Sequence, residues 1–271
     1  LSVSTFNQYL RCPLSFYYEQ VLKVPTVFSE AATYGTAIHN ALQVYFEKVF
    51  TMPRAGFPPA EVLVSLFEQE LQRMAGYLSP EAFRYRLQLG RQHLPGYHRQ
   101  RQSVWHNKGK LELEVKQVEV NGVPIKGVID KVELLKGDQA RIFDYKTGSL
   151  NENKLRRPTP AKPYGGIYWR QLVFYKILLE GIRTRQYQVV EAGIDYVQPD
   201  QNGNYPFQTI GIDQESVQQM KTWIREVYQQ IRAHDFYQGC GEEHCNWCQF
   251  ERIKRQAGSF SDQQLEELDD R

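Results

Sequence analysis

The sequence lacks the features that would indicate a membrane or secreted protein. No run among its 271 residues approaches the roughly 18 consecutive apolar residues that a transmembrane helix requires. A basic segment followed by an apolar one, the pattern of a signal peptide, is also missing. We therefore expect a cytoplasmic protein, a setting in which cysteines are more often metal ligands than disulfides.

The chain has little net charge and no internal repeat. Its 33 basic and 31 acidic residues leave a net charge of +2, so only local patches could indicate a nucleic-acid partner. No clear linker divides the sequence, which predicts a single domain over residues 1–271. The first residue is Leu1 rather than methionine, and we expect a domain excised from a longer protein.

Hydrophobic periodicity changes near residue 110. Apolar residues at helical spacing predict four helices before that point, with a break in the first helix at Pro13. Leu111–Val120 then alternates as a strand, and the Asn121-Gly122 pair predicts a hairpin turn into a second strand. The pattern predicts an α/β protein with a helical part (1–109), an α/β core (110–235), and a cysteine-bearing segment with a polar tail (236–271).

Two aspartates stand in otherwise apolar strands, Asp130 after Val-Ile and Asp144 after Ile-Phe. A lone aspartate in a strand often marks a solvated face, but buried carboxylates must be paired or must bind a metal. Lys146 lies two residues beyond Asp144 and therefore shares its face of the strand. Magnesium prefers one or two carboxylates together with water and phosphate. The arrangement predicts a magnesium site beside a cation, which suits hydrolysis of a phosphodiester.

All four cysteines fit one metal site. Cys240, Cys245 and Cys248 lie within nine residues, and Cys12 is far away in the sequence. A four-thiolate site of this kind would tie the two chain ends together. Zinc competes directly with an iron–sulfur cluster for such ligands, and His244 could replace one thiol. Four free cysteines are the remaining alternative.

A basic stretch follows the Asp144 strand, with no acidic residue between Glu152 and Glu180. Tyr164, Tyr168 and Trp169 are interleaved with its cations, and cations beside stacking aromatics suit single-stranded DNA. A solvated surface loop is the alternative. The candidate nucleic-acid contacts are Lys154, Arg156, Arg157, Lys162, Tyr168 and Arg170.

These motifs, taken in order, resemble the PD-(D/E)XK nuclease superfamily. Gly-Val-Ile-Asp130 followed by Asp144-Tyr-Lys146 is similar to its core, most closely in RecB-like and AddB-like nuclease domains. Gly35-Thr-Ala-Ile-His39 resembles the GxxxH helix motif of that group, and Gln171-Leu-Val-Phe-Tyr175 resembles its QxxxY motif. The segment ending in Cys12-Pro13 resembles the opening helix whose cysteine binds an iron–sulfur cluster. The resemblance runs from about residue 2 to 248.

The resemblance implies a restriction-endonuclease-like core, a central mixed β-sheet flanked by helices, and a metal-dependent deoxyribonuclease. Mg²⁺ or Mn²⁺ would be held by His39, Asp130, Asp144 and the Tyr145 carbonyl, while Lys146 assists the attacking water. Gln171 and Tyr175 would contact phosphate or support the lysine. A [4Fe-4S] cluster would be held by Cys12, Cys240, Cys245 and Cys248.

The implied biology is an exonuclease of recombination or repair, acting on single-stranded or end-bearing DNA with a helicase domain or subunit. One alternative is a CRISPR-adaptation nuclease of the same fold. Another is a catalytically silent DNA-binding or scaffolding module, against which the presence of Asp130, Asp144 and Lys146 argues.

The sequence departs from the family pattern at two places. Ile129 replaces the nominal proline, and the gaps of four and then two residues in the cysteine triplet reverse the commoner order.

Overall fold

The computed structural model describes residues 1–26 and 29–256. The chain forms two compact units, one spanning Val27–Lys221 and one joining Leu1–Thr26 to Thr222–Arg271. Most of the predicted polar tail lies outside the described residues. Within the part of the chain that is described, no helix is both long and apolar enough to cross a bilayer.

The helices follow the predicted order. They are α1 (Val3–Arg11), α2 (Pro13–Phe16), α3 (Glu30–Thr51), α4 (Ala60–Arg73), α5 (Pro80–Arg101), α6 (Ile167–Glu180) and α7 (Gln214–Arg232). The predicted break lies at Cys12, which has extended backbone angles and separates α1 from α2. Serine or aspartate side chains cap several helix starts; for example, Ser29 Oγ accepts the Ala32 N–H at 3.1 Å at the start of α3.

A five-stranded mixed sheet forms the centre of the larger unit. Its strands, in spatial order, are β1 (Gly109–Val120), β2 (Val123–Leu134), β3 (Gln139–Lys146), β4 (Gln188–Tyr196) and β5 (Phe207–Ile210). Neighbours are antiparallel except β3 and β4, which are parallel. A parallel pair needs a crossover, and α6 supplies it. The predicted fold class, a mixed sheet flanked by helices after a helical N-terminal part, is confirmed.

The β1–β2 hairpin contains a β-bulge. Next to the turn Val118 lies opposite Ile125, whereas beyond the bulge Val115 lies opposite Gly127. Gln117, inside the bulge, has a φ of 63°, in the left-handed region. Every residue of β1 before the bulge is therefore displaced by one position from the pairing that a simple count from the turn would give.

The larger hydrophobic core fixes α3 beside the sheet. Ile38, Leu42 and Phe46 project from α3 into a buried cluster that also contains Tyr145 of β3. This helix is thereby held next to the end of β3. The same cluster includes Phe67 of α4 and Tyr97 of α5, so α3, α4, α5 and the sheet share one core.

A buried ion network ties β2 to β3. Lys131 Nζ lies 2.8 Å from Glu133, and Arg141 of β3 donates to the same carboxylate at 2.5 and 3.1 Å. Lys131 and Glu133 are 2% and 1% exposed, so neither charge is solvated. Burial alone would raise the pKa of Glu133, but Lys131 and Arg141 outweigh burial and hold that pKa below its ordinary value.

Substitution Glu133→Gln should destabilise the larger unit by about 3–5 kcal/mol, because it leaves the Lys131 ammonium buried without an opposing charge. The measurement is chemical denaturation of both proteins. The matched control is Glu191→Gln, which alters a half-exposed partner of Arg141 at 3.3 Å and should change stability by less than about 1 kcal/mol. Equal effects of the two substitutions would contradict this account of the network.

Candidate metal centres

A cleft lies between α3 and the ends of β1 and β3. Its volume is about 410 Å³, and Gly35, His39, Glu112 and Lys146 are among the residues that line it. A Cβ atom on Gly35 would lie only 3.3 Å from Thr147 Oγ1, so this helix approaches the chain after β3 closely. The close approach brings the side chains of α3 within reach of those on β2 and β3.

His39 and Asp130 meet at the back of this cleft. The Asp130 carboxylate accepts the Tyr145 N–H at 2.9 Å and lies 3.4 Å from His39 Nδ1. His39 Nε2 lies 3.0 Å from the Tyr145 carbonyl oxygen. A carbonyl only accepts, so Nε2 carries the proton and Nδ1 presents its lone pair beside Asp130. Burial lowers the pKa of His39, which keeps the ring in the neutral form that binds metals.

Asp144 is buried and is paired with Lys146. Lys146 Nζ lies 2.6 Å from Asp144 Oδ2, and Asp144 is 1% exposed. Burial lowers the pKa of Lys146, yet the Asp144 carboxylate outweighs burial and the net shift is upward. The lysine is therefore an ammonium ion. Carboxylate oxygens are ligands that Mg²⁺ prefers, so Asp144 can hold a cation beside this ammonium.

The structure also brings a residue to this cleft that sequence reasoning missed. Glu112 of β1 offers a carboxylate oxygen, and this oxygen, a ring nitrogen of His39 and a carboxylate oxygen of Asp130 all lie within 4.8 Å of one another. Burial raises the pKa of Asp130 well above its ordinary value, and the charge of Asp144 raises it further. The carboxyl groups of the site therefore lie close enough to influence one another. Imidazole and carboxylate donors of this kind fit Mg²⁺ or Mn²⁺.

Gln171 and Tyr175 lie one turn apart on α6. Gln171 Nε2 donates to the Tyr175 hydroxyl at 2.9 Å, which confirms the shared helix face. Tyr175 is 4% exposed. Burial raises the pKa of Tyr175 well above its ordinary value, and the charges of Asp144 and Asp130 add to the shift. The phenol therefore keeps its proton and can donate a hydrogen bond close to the carboxylates.

The basic stretch reaches the cleft through Tyr168. Lys146 Nζ and Lys154 Nζ lie 4.9 and 5.1 Å from the centre of the Tyr168 ring. Lys154, Arg156 and Lys162 are exposed. One aromatic ring therefore contacts the buried lysine of the cleft and an exposed cation of the loop.

Two arginines of this stretch hold the loop in place. Arg157 donates to Asp213 at 2.7 Å and to the Gly211 carbonyl at 2.8 Å. Arg170 is 8% exposed and donates to the Tyr164 and Gly165 carbonyls at 3.0 and 2.8 Å. A buried guanidinium that binds backbone carbonyls is not available to a phosphate. The placement of Arg170 therefore does not fit the nucleic-acid contact predicted from the sequence, because the loop folds back over its side chain.

The smaller unit brings all four cysteines together. The Sγ atoms of Cys12 and Cys248 lie 3.8 Å apart, and those of the Cys240–Cys248 and Cys12–Cys245 pairs lie 3.7 Å apart. All four are free thiols, and all four sulfurs lie within 4.8 Å of one another. The four thiols form one group that could hold a metal ion, and the clustering agrees with the spacing in the sequence.

Aromatic packing supports the cysteine site within the smaller unit. The rings of Tyr18 and Trp247 stack with their centres 4.4 Å apart, and Trp247 Nε1 donates to Glu19 at 2.7 Å. Cys12 Sγ accepts the Ser15 N–H at 3.4 Å and so caps α2. These contacts hold the residues on either side of the sulfurs in place.

Comparisons with known proteins identify the fold of the chain. Residues 1–253 match the family model of the PD-(D/E)XK nuclease superfamily. A solved structure from Eubacterium rectale, provisionally named as an exonuclease, is similar with a TM-score of 0.59 and 11% identity, covering 92% of this chain and 86% of that one. The structure of SSO0001 matches over 80% of this chain and 84% of that one, with 13% identity and a TM-score of 0.31. No curated protein matches the chain.

Proposed function

Since the chain belongs to the PD-(D/E)XK nuclease superfamily, we propose that it is a Mg²⁺- or Mn²⁺-dependent deoxyribonuclease. The observation that carries the proposal is the buried Asp144 paired with Lys146 at 2.6 Å, beside a cleft lined by Lys146 and by His39, which lies 3.4 Å from Asp130. Carboxylates with an ammonium and a neutral imidazole are the groups that metal-assisted phosphodiester hydrolysis requires.

The side chains of the cleft have distinct roles in this proposal. His39, Asp130, Asp144 and the Tyr145 carbonyl would hold the divalent cation, which supplies Lewis-acid charge to the phosphate when bound. Lys146, whose raised pKa keeps it protonated, offsets negative charge that develops on the phosphoryl oxygens and orients the attacking water. Tyr175, held by Gln171, donates a hydrogen bond toward the phosphate or supports the lysine.

The substrate proposed is DNA with a single-stranded segment or a free end. The exposed cations Lys154, Arg156 and Lys162 would contact phosphates, and Tyr168 would stack against a base. The name of the Eubacterium rectale structure supports an exonuclease mode. A RecB-like or AddB-like role in recombination or repair, with a helicase, rests on the motifs at His39 and Cys12. Two alternatives have the same fold: a CRISPR-adaptation nuclease and a catalytically silent DNA-binding or scaffolding module.

The cysteine geometry supports zinc over an iron–sulfur cluster. Four thiolates about 2.3 Å from one ion, arranged as a tetrahedron, lie about 3.8 Å from one another. Three of the sulfur pairs are 3.7–3.8 Å apart, and all four sulfurs lie within 4.8 Å of one another. A [4Fe-4S] cluster would place a cube of iron and sulfide between the thiolates and would hold them farther apart. We propose a structural Zn²⁺ at Cys12, Cys240, Cys245 and Cys248.

Asp144→Asn and Lys146→Ala should each lower Mn²⁺-dependent degradation of end-labelled DNA by about 100-fold or more, because each removes a charge from the reacting centre. The control is Asp138→Asn, at an exposed position in the β2–β3 turn, which should retain full activity. If the wild type degrades no DNA with either metal and on any strand form, the silent-module alternative replaces this proposal.

Lys154→Ala and Arg156→Ala should weaken binding of single-stranded DNA in an Asp144→Asn background, which prevents cleavage. Each substitution removes one phosphate-facing charge, so the slope of log K against log salt should flatten by about 0.7. Arg84→Ala is the control, since Arg84 is an exposed arginine on α5 paired with Glu81 and should leave the slope unchanged. An unchanged slope in both loop variants would instead indicate a merely solvated loop.

Metal analysis of anaerobically purified protein should find about one zinc per chain and no stoichiometric iron, together with no visible absorption band of an iron–sulfur cluster. Cys245→Ser should lose the zinc and lower the thermal midpoint, because the tetrahedral ligand set is then incomplete. Stoichiometric iron with sulfide-dependent colour would refute the zinc assignment and restore the cluster implied by the sequence motifs.

A further inference from the structure

Glu112 and Asp130 face each other across the β1–β2 ladder. Leu111 pairs with Lys131 and Leu113 pairs with Ile129, so Glu112 stands opposite Asp130. Directly opposed residues of an antiparallel pair project to the same face of the sheet. The side-chain geometry agrees, because carboxylate oxygens of the two residues and a nitrogen of His39 all lie within 4.8 Å of one another.

This pairing is unfavourable without a cation. Like charges directly opposite each other in a sheet are destabilising. Lys146, which lines the same cleft, is already paired with Asp144 at 2.6 Å. Glu112 and Asp130 therefore face each other beside an ammonium that already has a carboxylate partner.

The backbone at Glu112 is strained. Its φ is 42°, in the left-handed region that residues with a Cβ rarely adopt, although its neighbours Leu111 and Leu113 both pair in the ladder. Strain of this kind persists where the surrounding structure imposes it, and it is concentrated at functional sites. The conformation is a local feature of β1 at the cleft wall, separate from the bulge at Gln117.

The donor set at this place suits a divalent cation. One imidazole and two carboxylates, from His39, Glu112 and Asp130, present ligand atoms within 4.8 Å of one another. Glu112 itself is half-buried and lines the same cleft as His39 and Lys146. A divalent ion in the cleft would offset the opposed carboxylates.

We propose that Glu112 is a further metal ligand of this site, supplying a carboxylate that holds the divalent cation together with His39 and Asp130. The inference rests on the proposed nuclease function, and it adds a ligand that none of the recognised motifs contains. The wall of the site formed by β1 is then part of the metal centre as well as the edge of the sheet.

Glu112→Gln tests the inference in the full chain, because it removes the charge and keeps the size of the side chain. We expect the metal-free protein at pH 8 to melt roughly 1–4 °C higher, since the carboxylate repulsion is relieved. We expect Mn²⁺ binding, measured by calorimetry and by the loss of the free-ion electron paramagnetic resonance signal, to weaken at least about tenfold. Glu114→Gln is the matched control on the same strand, exposed and paired with Lys116 at 2.6 Å, and should change neither quantity.

The outcomes separate this inference from the proposed function. Unchanged Mn²⁺ affinity in Glu112→Gln, with normal binding by the wild type, overturns the role of Glu112 and leaves the nuclease proposal intact. A lower melting temperature of the metal-free variant also overturns it, because Glu112 would then be a structural residue. Failure of the wild-type protein to bind Mn²⁺ would refute the metal centre itself.

Discussion

Electrostatic repulsion among carboxylates is the constraint on which the larger unit depends. Glu112, Asp130 and Asp144 come from three consecutive strands and lie around one partly buried cleft, where the Lys146 ammonium is paired with Asp144. Gathering such charges away from water is unfavourable, so the scaffold must hold them in place. The ion network at Lys131, Glu133 and Arg141, on the same strands, resists the separation of β2 from β3.

The remaining elements explain how the three strands are held with their carboxylates close together. The parallel pairing of β3 and β4 requires the crossover through α6, and this crossover brings Gln171 and Tyr175 to the same carboxylates. On the opposite side, the small residue Gly35 lets α3 approach the end of β3, and His39 lies one turn further along this helix. Sheet topology and helix packing therefore deliver the ligands, while each local motif supplies only one or two of them.

Much of the candidate site could be predicted from the sequence because its functional residues are concentrated in short segments. Asp130, Asp144 and Lys146 lie in strands whose apolar neighbours indicate burial, and the four cysteines have few other uses in a chain of this kind. Glu112 was not found, because its strand alternates regularly and the bulge changes which residue meets Asp130. Arg170 was assigned to DNA because composition does not reveal that a loop will fold over a charged side chain. Thiol spacing in sequence likewise does not give the distances between sulfurs that distinguish one ion from a cluster.

The bulge at Gln117 determines which residues of β1 and β2 lie opposite each other. Paired from the turn as a regular ladder, the same residues would place Leu113 opposite Asp130 and would carry the carboxylate of Glu112 to the other face of the sheet. Loss of the one extra residue between Val115 and Val118 would instead make the ladder regular and keep Glu112 opposite Asp130. A chain with the same motifs and the same strand length but no bulge would therefore have an aliphatic wall where this one has an acidic wall.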